Sequence, residues 1–311
     1  MFKPKSFPGY YFIKRQVRNN TSFDIRSNVI LFSDPRGGST WFSECLVSAL
    51  NVPLIWEPLH IGQVKELKSL NFGWREYIRE DNKDEKIKDF FSKLFEGKIK
   101  SDWLYQYSSL ANIFVSKSAI FKICRGNQMI PYLTNNFDFH LKPIYLIRHP
   151  LAVVSSQLRQ GGWSDTSNMM SLEEITNDPL KAPHKEFLSN LDTKEEILTA
   201  NWCLVNKIPL EHRLNTIKWI TVTYEEFILE PKKTFERLER EWGKNLNIDK
   251  IDFNKSSFTS VEEVKAKSEK QLTKWKTQLT TSQIKKMLKV LTYFDIKLYT
   301  EQPLPTKKFN K

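Results

Sequence analysis

Residues 28–41 read Asn-Val-Ile-Leu-Phe-Ser-Asp-Pro-Arg-Gly-Gly-Ser-Thr-Trp. The first six residues form a short apolar run, and a turn containing proline and glycine follows it. Apolar residues then recur at the spacing of one helix face, at Phe42, Cys45, Leu46 and Ala49. The pattern predicts a strand, a loop and a helix in succession.

The loop in this unit has the properties of a P-loop-type phosphate site. Glycines let the backbone approach a ligand closely, and the exposed amides at a helix N-terminus bind anions. The loop is not a Walker A motif, because GxxxxGK[ST] is absent and a positive side chain, Arg36, precedes the two glycines. The alternative interpretation is an ordinary turn between strand and helix, capped by Ser39 or Thr40.

The same order of strand and helix returns twice farther along the chain. Apolar runs at residues 143–148 and 218–223 predict buried strands, and Pro150 and Pro231 suit the first position of the helix after each run. Strands that alternate with helices form a parallel sheet covered by helices on both faces. We therefore predict an α/β fold with a central parallel sheet flanked by helices.

One domain explains these units better than two. We predict a single domain over residues 28–300, an N-terminal extension over residues 1–27 and a C-terminal tail over residues 301–311. Within the domain, residues 161–188 contain two glycines and two prolines that follow acidic or small residues. This composition predicts an irregular loop or lid.

The composition sets broad limits on function. A formal net charge of +12 favours acidic partners such as nucleotides, sulfated sugars, nucleic acid or an anionic membrane surface. No nucleic-acid recognition fold is visible, and the apolar runs are too short for a signal peptide or a membrane span. Three cysteines without metal-ligand spacing are interpreted as core thiols. We therefore expect a cytoplasmic protein with no membrane span and no nucleic-acid partner.

A second candidate anion site lies at the end of the run at residues 143–148. Arg148 ends the run, and Ser156 follows eight residues later inside the predicted helix. A guanidinium supplies charge and a hydroxyl supplies direction, so the two can converge on one phosphate. The alternative is that Arg148 forms a salt bridge with a neighbouring loop and that Ser156 is an ordinary helix residue.

These two motifs, in this order, resemble the family of sulfotransferases that use 3′-phosphoadenosine 5′-phosphosulfate (PAPS). The family's 5′-phosphosulfate loop has the form P-[KR]-[SG]-G-[ST]-T-W, as do residues 35–41, and its 3′-phosphate site has the same arginine-to-serine spacing. The resemblance extends from about residue 28 to residue 291 and is specific only in these two motifs. It implies a P-loop sulfotransferase fold and transfer of a sulfuryl group from PAPS to a hydroxyl.

The resemblance also implies roles for individual residues. Arg36 would bind the bridging oxygen and the 5′-phosphate, while Arg148 and Ser156 would bind the 3′-phosphate. Phosphate and sulfate oxygens would contact the amides and hydroxyls of Gly37, Gly38, Ser39 and Thr40. Trp41 and Tyr224 would lie near the adenine, although a tyrosine packed at a strand end is equally common.

Two regions match the family less closely. His149 stands where many members have aspartate, which leaves the two proposed phosphate ligands in place. Residues 268–275, SEKQLTKW, resemble the basic segment that closes over the 3′-phosphate. The alternative for this segment is a solvated, lysine-rich face.

Sulfuryl transfer needs a base for the acceptor hydroxyl, and residues 55–60, IWEPLH, contain two candidates, Glu57 and His60. Carbohydrate sulfotransferases often have glutamate before proline here. The resemblance therefore favours Glu57 as the base, His60 as a substrate contact or orienter, and a carbohydrate acceptor. The alternative for Glu57 is a carboxylate that caps a turn. Arg125, after a strand-like run, is either a contact for an acidic sugar or a structural residue.

The expected partners are PAPS and a small-molecule or glycan acceptor. Basic side chains and helix amides can stabilise this transfer without a divalent metal, and the sequence contains no compact acidic or histidine cluster. Two other functions stay open at this point. A nucleotide kinase or hydrolase would need the lysine-serine pair that is absent after the glycines, and a non-catalytic nucleotide- or polyanion-binding protein would lack a working base.

Overall fold

The computed structural model describes residues 10–160, 171–254 and 269–309. In these residues one sheet is formed by the strands β1 (Val29–Ser33), β2 (Leu54–Trp56), β3 (Ile120–Cys124), β4 (Ile144–Ile147) and β5 (Ile220–Thr223). Each neighbouring pair is parallel, and the strand order is β2-β3-β1-β4-β5. The predicted α/β fold with a central parallel sheet is confirmed.

Helices surround the sheet. The α-helices are α1 (Tyr10–Asn19), α2 (Ser39–Leu50), α3 (Glu66–Ser69), α4 (Glu85–Phe95), α5 (Asp102–Tyr105), α6 (Leu110–Val115), α7 (Ile130–Asn136), α8 (Pro150–Arg159), α9 (Leu172–Asn177), α10 (Lys185–Ser189), α11 (Lys194–Glu211), α12 (Tyr224–Leu229), α13 (Pro231–Trp242), α14 (Glu269–Gln278) and α15 (Thr281–Tyr293). Short 3₁₀ helices are Ile25–Ser27, Asn127–Met129, Ala182–His184 and Ile248–Lys250.

The strands are buried on both faces, and this explains their continuous apolar sequences. In β1, Ile30 and Phe32 belong to one hydrophobic core, while Val29 and Leu31 belong to the core on the opposite face. Successive side chains of a strand point to opposite faces, so one short run supplies both cores. The three cysteines are buried and free, as expected for core thiols.

The local predictions hold for the units that carry the motifs. Pro150 and Pro231 are the first residues of α8 and α13, as their positions predicted. The helix directly after β5, however, is α12, which was not predicted from the sequence. The loop prediction for residues 161–188 is wrong in its second part, where α9 and α10 form, each with one buried apolar residue, Ile175 and Leu188. Residues 161–170 lie outside the described residues.

Both ends of the described chain contact the sheet domain. Arg18 of α1 forms a salt bridge with Asp102, and the Lys100 ammonium donates to the backbone oxygen of Arg18 at 2.7 Å. At the other end, the backbone oxygens of Thr300 and Gln302 accept hydrogen bonds from His149. The predicted limits of the extension and the tail stay predictions.

The carboxyl ends of all five parallel strands meet at one edge of the sheet. At this edge the central strand, β1, has β3 and β2 on one side and β4 and β5 on the other. Ligands of open α/β sheets bind in the crevice outside the carboxyl ends, near the strand where the order reverses. The fold therefore brings the loops after β1, β2, β3, β4 and β5 to one place.

Candidate active site

The loop after β1 has no room for side chains at its two glycines. A Cβ at Gly37 would lie 2.3 Å from the Ser33 hydroxyl oxygen, and a Cβ at Gly38 would lie 2.2 Å from a ring carbon of Tyr224. Gly38 has a φ of +90°, and Arg36 has a φ of 71°. A positive φ at a residue other than glycine is strained and is found preferentially at functional sites.

The helix after this loop begins without a side-chain cap. Gly38 is the N-cap residue of α2, and Ser39 and Thr40 lie inside the helix. The first amides of an α-helix have no partner within the helix and carry partial positive charge. The turn capped by Ser39 or Thr40 is therefore not formed, and the exposed helix end suits an anion.

A buried polar network fixes the start of the loop. The Asp34 carboxylate accepts a hydrogen bond from Arg75 at 2.8 Å and another from the Asn206 amide. Asn206 in turn accepts hydrogen bonds from Asn127 at 2.9 Å and from the Tyr145 hydroxyl at 2.7 Å. Buried hydrogen-bond networks of this kind rigidify the segments that they join. The loop is therefore anchored to α11, on which Asn206 lies.

The two predicted anion motifs meet at this edge of the sheet. Arg36 Nε donates to Ser156 Oγ at 3.0 Å, and Arg148 donates to the backbone oxygen of Arg36 at 3.1 Å. Gln157, beside Ser156 in α8, donates to the backbone oxygen of Pro35 at 3.3 Å. The loop after β1 and the start of α8 thus form one continuous surface.

This surface is strongly positive. Burial, together with the charges of Arg148 and Arg159, lowers the pKa of Arg36, but an arginine stays protonated in proteins. Neither Arg36 nor Arg148 forms an ion pair with a carboxylate of the described residues. Arg148 Nε is also buried without a hydrogen-bond partner there. Both arginines are partly buried, and cations removed from water in this way are costly unless an anion binds them.

The two aromatic residues assigned to the adenine differ in position. The Arg148 guanidinium lies 4.3 Å from the centre of the Tyr224 ring, which also covers Gly38. The Trp41 ring is 6% exposed and packs on Phe227, with the ring centres 4.0 Å apart. Tyr224 therefore borders the cationic surface, whereas Trp41 belongs to the core. The adenine contacts stay predictions.

His149 caps the start of α8. Its Nδ1 accepts a hydrogen bond from the Leu151 amide and caps α8, and its Nε2 donates to two carbonyl oxygens, at Thr300 and Gln302. Burial lowers the pKa of His149 to about 4, so the ring is neutral at physiological pH. The ring stacks on Trp275 at 5.0 Å. His149 therefore joins the C-terminal residues to the start of α8.

Residues 269–275 of the predicted basic segment form part of α14 and pack beside the second anion motif. Gln278 of α14 accepts a hydrogen bond from Ser155 at 2.8 Å, and Leu272 and Trp275 are buried. The helix is therefore not only a solvated, lysine-rich face. Closure over a 3′-phosphate stays a prediction.

Glu57 lies at the carboxyl end of β2 and is bound by two cations. Lys122 Nζ donates to one carboxylate oxygen at 2.8 Å, and an Arg125 nitrogen lies 3.4 Å from the other. Burial would raise the pKa of Glu57, but Lys122 and Arg125 outweigh it and hold the pKa below its ordinary value. The carboxylate is therefore ionised at neutral pH and is not a surface group that caps a turn.

A buried cysteine connects Glu57 with the loop after β1. The Cys124 sulfur lies 3.4 Å from Lys122 Nζ and 3.7 Å from the Ser39 hydroxyl. Lys122 is also the direct partner of Glu57. The candidate base and the start of α2 are therefore joined through β3.

His60 lies between two indole rings close to Glu57. Its ring centre is 5.0 Å from that of Trp74 and 4.8 Å from that of Trp103. Burial and the charge of Arg125 lower the pKa of His60, so the ring is neutral at physiological pH. Its buried Nδ1 has no hydrogen-bond partner among the described residues. His60 can therefore accept a proton or a hydrogen bond.

Lys122 was not identified from the sequence. It lies in the middle of β3, is 1% exposed and has its ammonium 3.7 Å from the centre of the Trp56 ring. A lysine inside an otherwise apolar strand is a usable signal, because a buried ammonium requires a carboxylate partner. That signal alone would not have identified Glu57 as the partner.

The described residues contain no group of three or more histidine, cysteine, aspartate or glutamate residues that could hold a metal ion. None of their helices combines the length and the apolar character needed to cross a membrane.

No protein-family model and no curated protein matches the chain. Among solved structures, it is similar to a sulfotransferase domain from the curacin biosynthetic pathway, with 15% identity, 86% of this chain and 97% of that chain covered, and a TM-score of 0.48. It is also similar to a sulfotransferase domain from the Synechococcus PCC 7002 olefin synthase, with 15% identity, 90% of this chain and 98% of that chain covered, and a TM-score of 0.46. For the mouse sulfotransferase SULT7A1 complexed with PAP, the identity is 12%, the coverage is 92% of this chain and 89% of that chain, and the TM-score is 0.46. Similarity of this degree assigns neither an activity nor a site to this chain.

Proposed function

We propose that the chain is a sulfotransferase that moves a sulfuryl group from PAPS to a hydroxyl of a carbohydrate. The observation that carries the proposal is the hydrogen bond between Arg36 and Ser156, at 3.0 Å, which joins the two anion motifs. One such motif after a strand is an ordinary occurrence. Two motifs in the order of the family, in contact with each other, support a ligand with two separate anionic groups, as PAPS has.

The residues present fit such a donor. Glycine is required at both loop positions because a Cβ would collide with Ser33 or Tyr224, and the uncapped start of α2 lies beside them, which suits the 5′-phosphosulfate. Arg148, with its buried Nε, and Ser156 suit the 3′-phosphate. In this proposal Arg36 binds the bridging oxygen, on which negative charge grows as the bond to sulfur breaks.

In the proposed reaction the acceptor hydroxyl attacks the sulfur atom and forms the new S–O bond. The bond from sulfur to the 5′-phosphate oxygen breaks, and 3′-phosphoadenosine 5′-phosphate (PAP) leaves with the electron pair. The hydroxyl proton passes to Glu57. We expect positioning and electrostatic stabilisation to supply most of the rate enhancement, as in phosphoryl transfer.

Glu57 is our candidate for the base, and its environment supports an ionised carboxylate. Lys122 and Arg125 hold its pKa low, which keeps the group unprotonated and oriented at the cost of proton affinity. His60 is the second candidate because its ring is neutral and close to Arg125. The glutamate-proline pair of the carbohydrate enzymes supports the first choice, with His60 as a substrate contact or orienter.

A transfer assay tests the proposal. The protein is incubated with PAPS labelled in the sulfuryl group, a panel of glycans and phenols, and EDTA. We expect label on a glycan, formation of PAP, and no loss of activity in EDTA. Transfer to phenols alone would contradict the carbohydrate acceptor, and phosphate transfer from ATP without any sulfuryl transfer would favour the kinase alternative.

A further inference from the structure

Trp74 is exposed beside the candidate base. Its side chain is 48% exposed, and it is the one tryptophan among the exposed large hydrophobic residues of the described chain. An indole ring combines a large flat apolar surface with a polar N–H, and tryptophan is enriched at binding interfaces for this reason. Packing of the core does not explain its position.

The Arg125 guanidinium lies over this ring. Its guanidinium carbon is 4.6 Å from the centre of the Trp74 ring, and one guanidinium nitrogen is 3.4 Å from a Glu57 oxygen. The backbone φ of Arg125 is 69°, at the turn that ends β3. An exposed aromatic face, a guanidinium and the candidate base therefore lie within one side-chain length of each other.

The local charge favours an anionic ligand. At His60, which contacts Trp74, the charge of Arg125 lowers the pKa more than the charge of Glu57 raises it. Arg125 therefore supplies a positive charge beside the exposed indole. A guanidinium held in a fixed plane binds a carboxylate or a sulfate through two parallel hydrogen bonds.

We infer that Trp74 and Arg125 form an acceptor subsite for an acidic sugar. One face of the sugar ring stacks on the Trp74 indole, and its carboxylate or sulfate binds the Arg125 guanidinium. This inference rests on the proposed function and adds the class of acceptor, an anionic saccharide. A neutral aromatic acceptor would stack on the same indole but would gain nothing from Arg125.

Binding of a short ligand tests the subsite without requiring turnover. The probe is a tetrasaccharide of alternating uronic acid and N-acetylhexosamine, titrated by calorimetry at physiological salt against its carboxyl-reduced form. A short probe is needed because a protein with a net charge of +12 binds long polyanions without specificity. We expect the acidic form to bind at least roughly tenfold more tightly than the reduced form.

Three variants locate the binding. Trp74→Ala should weaken binding of the acidic tetrasaccharide by roughly tenfold or more, since truncation of a central aromatic contact has effects of this size. Trp74→Phe should restore most of the affinity. Phe114→Ala, which removes a ring that is 74% exposed on α6, is the matched control and should change nothing.

Equal binding of the acidic and reduced forms, or full affinity in Trp74→Ala, would overturn the inference. Binding of PAP to the same protein samples separates this outcome from failure of the proposed function. If PAP binds and the tetrasaccharide does not, the subsite is wrong and the donor site stands. If PAP fails to bind, the proposed function itself is contradicted.

Discussion

Replacing Glu57 with glutamine should lower turnover by roughly 100-fold or more, the usual weight of general-base catalysis. Glutamine keeps nearly the same shape and still accepts a hydrogen bond from Lys122, but it has no basic carboxylate. Binding of PAP should change little, because Glu57 lies at the end of β2 and not in the loop after β1. Turnover is measured with labelled PAPS and an active glycan.

His60→Ala is the matched comparison and should be milder. Removing the charge of Glu57 leaves the buried Lys122 ammonium without its carboxylate, so PAP binding is used to show that Glu57→Gln is folded.

Because the pKa of Glu57 lies below its ordinary value, the wild-type carboxylate should stay ionised, and turnover should not fall from protonation of Glu57 until the pH drops below about 4.5. A fully active Glu57→Gln protein with an inactive His60→Ala protein would assign the base to His60.

Replacing Arg36 with alanine should lower turnover more than it weakens binding of the donor. The charge on the bridging oxygen grows as the bond breaks, so the guanidinium contributes more in the transition state than in the ground state. Removing one such donor costs on the order of 3 kcal/mol, or on the order of 100-fold in turnover. Single-turnover and binding measurements separate the two effects.

Arg159→Ala is the control for Arg36→Ala. Arg159 is exposed at the end of α8, and its charge is among those that act on Arg36. Within the described residues it forms no hydrogen bond or ion pair with the loop after β1. Its loss should have a small effect that salt screens. Unchanged turnover in a folded Arg36→Ala protein would remove Arg36 from the mechanism.

The fold could be predicted from short segments because each one carried its own signals. Short apolar runs mark β1, β4 and β5, and Pro150 and Pro231 open helices where proline is favoured. Parallel strands joined by helices place the carboxyl ends of the strands at one edge. This is why two anion motifs far apart in the sequence could be expected to meet.

The surroundings of the candidate base could not be predicted in the same way. The hydrogen-bond partner of Glu57, Lys122, is 65 residues away in the sequence, and that of Asp34, Asn206, is 172 residues away. Nothing local to either residue indicates its partner, because these contacts depend on the register of β2 with β3 and on the packing of α11. The same applies to Trp74, whose position beside Arg125 depends on tertiary packing.

The central claim is that the loop after β1 and the start of α8 form one site for a nucleotide with a 3′-phosphate. Calorimetric titration with PAP and with adenosine 5′-phosphate, in the wild type and in Arg148→Ala, tests it most directly. The account predicts that PAP binds the wild type far more tightly than adenosine 5′-phosphate does, because the buried guanidinium is left without an anion when the 3′-phosphate is missing. Arg148→Ala should abolish most of this preference. Equal affinities for the two nucleotides in the wild type would contradict the account.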